Sequence, residues 1–504
     1  MSAPKVVIKT QDNGLGQSSQ TVGNTLVVIG TSSAGSANVP VETASPQTDI
    51  VPTYGYGPAP QLTALVNAQA GESVIFVKAA TATPGANTAV SALRPSGGTS
   101  VVTITGTPND SYYGVVTRVA GGTIGVAGCQ VAISLDAGRT TYAVANLGTG
   151  STYVIPNTGL TVNFGAGTLA VGDSDSWVST EPLWSDSGVA SALQALYSLP
   201  FGETFLDIMI PGGGGQANAG GPGVNGGDVT SIDAQATALF NKRRYTRILC
   251  NARDALWGGS STETEAQWIA SIEADHQNDS SLRVGVTGGH YNCISPIDQV
   301  QYRRPLLFFA AARDAQVAIQ VDLGRVKDGA LANMVIPSTP DAFIYHDENL
   351  TPGLDAARFL SATTYVGRPG FYVVNPNLMA PPGSDVNWLQ HGHVIDAASQ
   401  IAYNFFLDEL SDSIRVDPTT GYPLAQDVND LTLRCKAQLD DQLTNAGAVS
   451  ATSVAIPPRQ NVLSTSALNV NIGITPLGYL KQITVTIQFV NPAIQQVQSP
   501  GVSP

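Results

Sequence analysis

The span from Gly212 to Gly227 carries the most explicit chemical pattern in the chain. Gly221-Pro-Gly223-Val-Asn-Gly226 fits G-x-G-x-x-G, a pattern in which glycines let a backbone approach a pyrophosphate at a helix N-terminus. Asp254 follows the next apolar run, where such a site needs an acid for the ribose hydroxyl. Three features work against this reading. The preceding strand ends near Ile210, about ten residues before the motif, whereas the phosphate turn must be tight. Pro222 sits between the two glycines, and nine of the sixteen residues from 212 to 227 are glycine, so chance matches are expected. We therefore read 212–227 as a flexible inserted loop, with a dinucleotide-dependent enzyme as the alternative.

Other chemical groupings are weaker. His391 and His393 form an H-x-H pair at a loop-to-helix junction, with Asp385 and Asp396 nearby, but no further His or Cys completes a metal spacing. His346-Asp347-Glu348 and Asp173-Ser-Asp175 lack a full calcium-loop pattern and read as solvated turns. There is no G-x-S-x-G elbow or H-E-x-x-H helix. The sequence thus nominates no catalytic, cofactor or metal residue, and an enzyme is not expected.

The elements that would position these residues follow from periodicity. Leu26–Ile29, Val74–Lys78, Phe205–Ile210, Arg247–Cys250 and Leu282–Val286 are short, mainly apolar runs of the kind buried on both faces of a parallel sheet. Helical patterns lie between them at Gln61–Gln69, from a Thr230/Asp233 capping box to Arg243, and at Glu263–Ala274. The interval 81–182 instead holds closely spaced β-type runs separated by Gly, Asn and Asp turns, the signature of an all-β insertion. Beyond 366 come a strand at Phe371–Val374, helices at Val394–Ile414 and Leu431–Ala446, and a strand region at Leu468–Ile474. The second helix presents Leu431, Cys435, Leu439 and Leu443 on one face, and Gly447 closes it.

The expected fold is multidomain α/β and α+β. It comprises an N-terminal arm (1–24), the first part of an α/β core (25–80), an inserted all-β outer domain (81–182), an α/β sheet domain (183–365), a C-terminal α+β domain ending in an arm strand (366–490), and a polar tail (491–504). In that last strand Ile483, Val485, Ile487 and Phe489 alternate with Thr484, Thr486 and Gln488, bracketed by Pro476 and Pro492. Such a strand pairs on one buried face, and one followed only by a polar tail is easily lent to a neighbouring molecule.

Composition points the same way. Of 504 residues 12% are charged and 43% hydrophobic, so the surface is built from small neutral residues, which suits a chain covered by copies of itself. A net charge of −14 without a basic stripe argues against nucleic-acid binding. The start lacks the apolar core of a signal peptide, and the longest apolar run, Leu306–Ala312, is too short to span a bilayer. Folding in a cytoplasm without membrane insertion is expected. Cys129, Cys250, Cys293 and Cys435 share no metal spacing and read as buried thiols, the alternative being disulfides between subunits.

Several stretches, in order, resemble the tail sheath proteins of contractile-tailed, Mu-like bacteriophages. LVVIGTSSAGSANVPVETAS (26–45), YGYGPAPQL (54–62) and ESVIFVKA (72–79) resemble their N-terminal core segment. IYHDENLTPGLDAARFLSATTYVGRPGFYVVNPNLMAPPGSD (344–385), SDVNWLQHGHVIDAASQIAY (384–403) and TPLGYLKQITVTIQFVNP (475–492) resemble their C-terminal domain. SLDAGRTTYAV (134–144) and PNTGLTVNFGAGTLAVGD (156–173) are similar to decorating modules of phage structural proteins.

The resemblance implies a structural subunit that polymerises helically around a tail tube, linked by exchanged arm strands, and meets baseplate and tail terminator proteins. Its contraction drives the tube through the host envelope during genome delivery. It implies assembly in the host cytoplasm and residence in the virion tail, without cofactor or metal. On this chain the arm strands map to Val6, Val7 and Ile8 and to Ile483, Val485, Ile487 and Phe489. The candidate tube-facing cations are Arg434 and Lys436.

Overall fold

The computed structural model describes residues 25–44, 49–71, 73–199, 205–214, 222–256, 262–335 and 343–487. At its centre is a six-stranded sheet. Its members are β1 (Thr25–Gly30), β2 (Pro40–Thr43), β3 (Val74–Lys78), β4 (Phe205–Ile210), β5 (Arg247–Asn251) and β6 (Val284–Thr287), in the order β6-β5-β4-β1-β3-β2. All neighbours are parallel except β2, which runs antiparallel to β3 at the edge.

The apolar runs make this sheet because successive residues serve opposite faces. Leu26, Val28, Phe76, Met209 and Leu249 enter one buried cluster. Val27, Ile29, Ile75, Val77, Ile208, Ile210, Ile248 and Val286 enter the other. The helices are α1 (Pro58–Ala70), α2 (Asp186–Ala195), α3 (Gly226–Asn241), α4 (Glu265–His276) and α5 (Leu306–Asp314). Helices α1 and α5 cover the first face, and α2, α3 and α4 the second. Every residue of α5 is buried, which explains the apolar run at 306–312 as a central core helix. Among the described residues, no helix is long and apolar enough to cross a membrane.

Between 81 and 184 the described chain forms strands and turns. One sheet runs, in order, Ala143–Asn146, Gln130–Ser134, Tyr112–Ala120, Ser174–Thr180 and Ala86–Asn87, with Ser91–Leu93 also paired to Ser174–Thr180. A second runs Thr152–Ile155, Leu160–Phe164 and Val102–Gly106. Val116, Val131, Ile133, Val162 and Trp177 are buried between them.

The last part holds α6 (Leu389–Asp408), α7 (Ala425–Leu439), β7 (Ala451–Ala455) and β8 (Asn471–Thr475). Val394, Ala397, Ile401, Cys435, Leu439 and Leu443 form its core. Leu431, Cys435, Leu439 and Leu443 are all buried, as their spacing requires.

Several expectations need correction. Helix α3 is opened by Asn225, not Thr230. The Asn225 side chain accepts from Asp228 N, and Asp228 accepts in return from Asn225 N, at 3.0 and 2.9 Å. Helix α6 begins five residues before Val394 and ends at Asp408, six before Ile414. Gly392 lies inside it because a Cβ there would come within 2.7 Å of Arg247 Nε, and its carbonyl accepts from Arg247 Nη2 at 3.0 Å. Helix α7 starts at Ala425 and gives way to a wider turn over Asp440–Thr444 before Gly447, whose φ is 72°.

The acidic clusters are not solvated turns. Asp173, Asp175, His346 and Asp347 are all buried. Asp173 accepts from Ser96 N and Gly98 N at 2.8 and 2.7 Å. Asp175 pairs with Arg94 and Arg118. All four cysteines are free and buried, so disulfides to another subunit would require opening the core around each one.

Candidate assembly site

After β8 the chain leaves its sheet. The pair β7–β8 is antiparallel, with Thr452 facing Ile474 and Val454 facing Ile472. Val454, Ile472 and Ile474 pack onto the α6–α7 core, while Ala451, Ser453, Ala455, Asn471, Gly473 and Thr475 are exposed. Among the described residues neither outer edge of this two-stranded sheet has a partner, and unpaired edges are templates for a further strand.

The segment is then held at one point. The Tyr479 hydroxyl donates to the Gln320 carbonyl at 2.6 Å, and its ring meets Trp388 and His391 with centroids 6.1 and 5.7 Å away. Lys481 pairs with Asp322 and lies 4.8 Å over the Trp388 ring.

Past this anchor, residues 482–487 belong to no strand. Ile483, Val485 and Ile487 are 72%, 71% and 91% exposed. Residues 482–487 of the expected strand are therefore unpaired among the described residues, which leave its β-branched face uncovered. Phe489 lies outside the described residues, as do Val6, Val7 and Ile8.

Magnitudes show what a partner must supply. Burying three such side chains contributes roughly 1.5–3 kcal/mol each. Ordering six backbone residues costs roughly 1–2 kcal/mol each. The two nearly cancel, so main-chain ladder bonds, at about 0.5–1.5 kcal/mol each, decide whether the segment docks. An open sheet edge offers those bonds; a merely apolar patch does not.

Arg434 and Lys436 stand half-exposed on α7, and both are already paired. Arg434 donates to Asp430 at 2.9 Å and to Glu409, and Lys436 pairs with Asp440. Each acid would have to be displaced or shared for the cation to meet another anionic surface.

Positions 215–221, with Gly221 of the motif, lie outside the described residues, and the described part of the glycine loop builds no dinucleotide cradle. Gly223 packs on the main chain after β5, where a Cβ would lie 2.1 Å from Arg253 N. Val224 N donates to the Asn251 carbonyl at 2.9 Å. The N-terminus of α3, where a phosphate would bind, already holds the Asp228 carboxylate. Asp254 is gripped by Arg303, Nε to Oδ2 at 2.5 Å and Nη2 to Oδ1 at 2.8 Å. A cavity of about 280 Å³ does lie beside these residues, lined also by Glu181, His290 and Arg304. Burial lifts the Glu181 carboxyl to about 8 and lowers His290 to about 4.

Around that cavity the β-rich region is tied to the core by a buried ion pair that sequence reading missed. Arg304 grips Asp110 through Nη1–Oδ1 at 2.9 Å and Nη2–Oδ2 at 2.5 Å, and donates through Nε to Gln61 at 2.9 Å. The adjacent Arg303 holds Asp254 and the Ile344 carbonyl. The available signal was an Arg-Arg pair closing a β-type run in a chain with few charges.

His391 and His393 do not converge. His391 Nδ1 lies 3.1 Å from the Asp385 carbonyl near the surface, whereas His393 is buried with Nε2 3.0 Å from Asp207 Oδ2 on β4.

Among solved structures, the chain is similar to the sheath of an extracellular contractile injection system, the PVC sheath complex in its contracted state. Identity is 11% over 98% of this chain and 99% of that one, with a TM-score of 0.50. It is also similar to the anti-feeding prophage helical sheath in its contracted state, at 10% identity over 97% and 99% with a TM-score of 0.48. A third similarity is to a sheath tail protein from Desulfitobacterium hafniense, at 12% identity over 94% and 100% with a TM-score of 0.43. At such identities the likeness concerns the fold, which is that of the contractile sheath. No curated protein matches the chain. Two family models, DUF2586 N-terminal domain over residues 3–377 and DUF2586 C-terminal domain over 387–494, together span nearly all of it, and the chain belongs to the DUF2586 family.

Proposed function

We propose that this chain is the structural subunit of a contractile tail sheath. It polymerises helically around a tail tube and contracts to drive the tube through a host envelope. The observation that carries this reading is the exposed, unpaired segment 482–487, which leaves a fixed anchor beside an open two-stranded sheet. Its alternating face suits strand addition to a neighbour's sheet, where ladder bonds give linkage and alternate side chains give register. The sheath-like fold over the whole chain supports the same reading.

In this account Val6, Val7 and Ile8 form the partner arm, and Ile483, Val485, Ile487 and Phe489 the C-terminal one. The β-rich region at 81–182 faces outward, and the last domain faces the tube through Arg434 and Lys436. Baseplate and terminator proteins cap the array, which assembles in the host cytoplasm and resides in the virion tail. Contraction is rigid-body motion of subunits about strand links, released from a state held by a barrier, so no nucleotide is consumed.

Val485→Pro tests the reading. Proline removes a ladder donor and is excluded from a central strand, yet this position is exposed in the single chain. The variant should melt like the parent and fail to form tubes in electron micrographs. Normal tubes from the variant would contradict strand addition at 483–489.

A further inference from the structure

We propose that Asp207, Asp314 and His393 together hold one divalent transition-metal ion that staples α6 to the core sheet. The three residues come from β4, the end of α5 and the first turns of α6. One ligand atom from each lies within 4.8 Å of the other two, and all three side chains are buried. This inference is independent of the sheath reading.

The cluster is short of positive partners. Asp207 Oδ1 and Asp314 Oδ2 are sealed from solvent and accept from no nitrogen or hydroxyl donor, leaving the two carboxyls facing each other. Asp207 is 0% and Asp314 2% exposed. The nearby guanidinium of Arg247 is committed elsewhere, to Asp396 at 2.7 Å, the Leu282 carbonyl at 2.7 Å and the Gly392 carbonyl at 3.0 Å. It compensates Asp396, and among the described residues neither Asp207 nor Asp314 has a Lys or Arg salt bridge of its own. A doubly charged cation balances that set, and buried charges persist only when paired or metal-bound.

The histidine geometry fits a ligand. Nε2 faces Asp207 and Asp314, while the ring also interacts with the Ile319 backbone, the kind of outer contact that orients a ligating imidazole. Two carboxylate oxygens and one imidazole nitrogen suit zinc or manganese. They are too few for calcium, which takes 6–8 oxygens. The effect would be mechanical, fixing the helix that begins the C-terminal region to the central strand.

The test uses the purified full-length chain, stripped with a chelator and then titrated with zinc chloride or manganese chloride. We expect about one ion per chain by elemental analysis and a melting temperature that rises with added ion. Asp314→Asn and His393→Gln should each abolish the rise and lower metal content about tenfold or more. A stripped wild type that takes up neither ion and melts unchanged in both would overturn the proposal. So would an Asp314→Asn chain at least as stable as metal-treated wild type, which would mark the carboxyl pair as sharing a proton. Should the variants not fold, the wild-type titration alone decides.

Discussion

His346 is fully buried, with its Nδ1 2.9 Å from Glu265 and its Nε2 2.9 Å from Glu348. Both ring nitrogens face carboxylates, so both must donate, and the ring is an imidazolium. Burial opposes that charge, but the two hydrogen bonds outweigh it and raise the pKa above its ordinary value. Glu348 is lowered, burial again opposing and the His346 bond with two main-chain donors prevailing. The signs follow by linkage. Stability from His346 is full below its unfolded value of about 6.5 and is lost as pH rises through the raised folded value. Stability from Glu348 is lost as pH falls through its depressed value. His346→Gln should therefore lower the melting temperature most near pH 6, and the gap to wild type should narrow toward pH 9. A gap that widens with pH would refute the charged ring. At the same scale, Gly223→Ala forces a Cβ against Arg253 N, so it should destabilise by about 1–3 kcal/mol. Adding a dinucleotide should leave the melting of both parent and variant unchanged. A rise in the parent that the variant loses would restore the enzyme alternative.

Among the elements, strand Gln301–Pro305 joins the β-rich region to the core through Arg304 and Asp110, with side chains 3% and 1% exposed. Removing one partner of a buried pair strands the other charge and costs about 3–5 kcal/mol. Asp110→Asn should show that loss in denaturant unfolding, and Arg304→Met with Asp110→Leu should recover most of it. A neutral Asp110→Asn would mean that the two regions are held some other way. Periodicity made the sheet strands, the α5 run and the Leu431–Leu443 face legible, because burial dictates residue type at each of those positions. The start of α6 was not legible: Gly392 reads as a helix breaker until Arg247, 145 residues earlier, is seen lying against it. Arg304 and Asp110 were hidden for the same reason, being 194 residues apart. The alternation at 483–487 was legible as strand-forming, but its lack of a partner among the described residues was not, since periodicity does not say which edge a strand meets. The Tyr479–Trp388–Lys481 anchor also escaped notice, because aromatic and lysine residues carry no period of their own.

For the whole molecule, the central claim is that the subunit is a rigid body linked to its neighbours by a strand it does not use itself. The buried Arg304–Asp110 pair ties the β-rich region to the core, the α6–α7 core fixes β7–β8, and the anchor at Tyr479 and Lys481 marks where the rigid part ends. That anchor places the informative cut after Lys481, so that deleting 482–504 spares the contact to Asp322 that deletion from 480 would remove. The most direct measurement is electron microscopy of full-length and 482–504-deleted protein, each first shown by its melting temperature to be folded. The account predicts hollow, striated tubes from the full chain and only dispersed, folded particles from the deletion. Equally long tubes from both would contradict it.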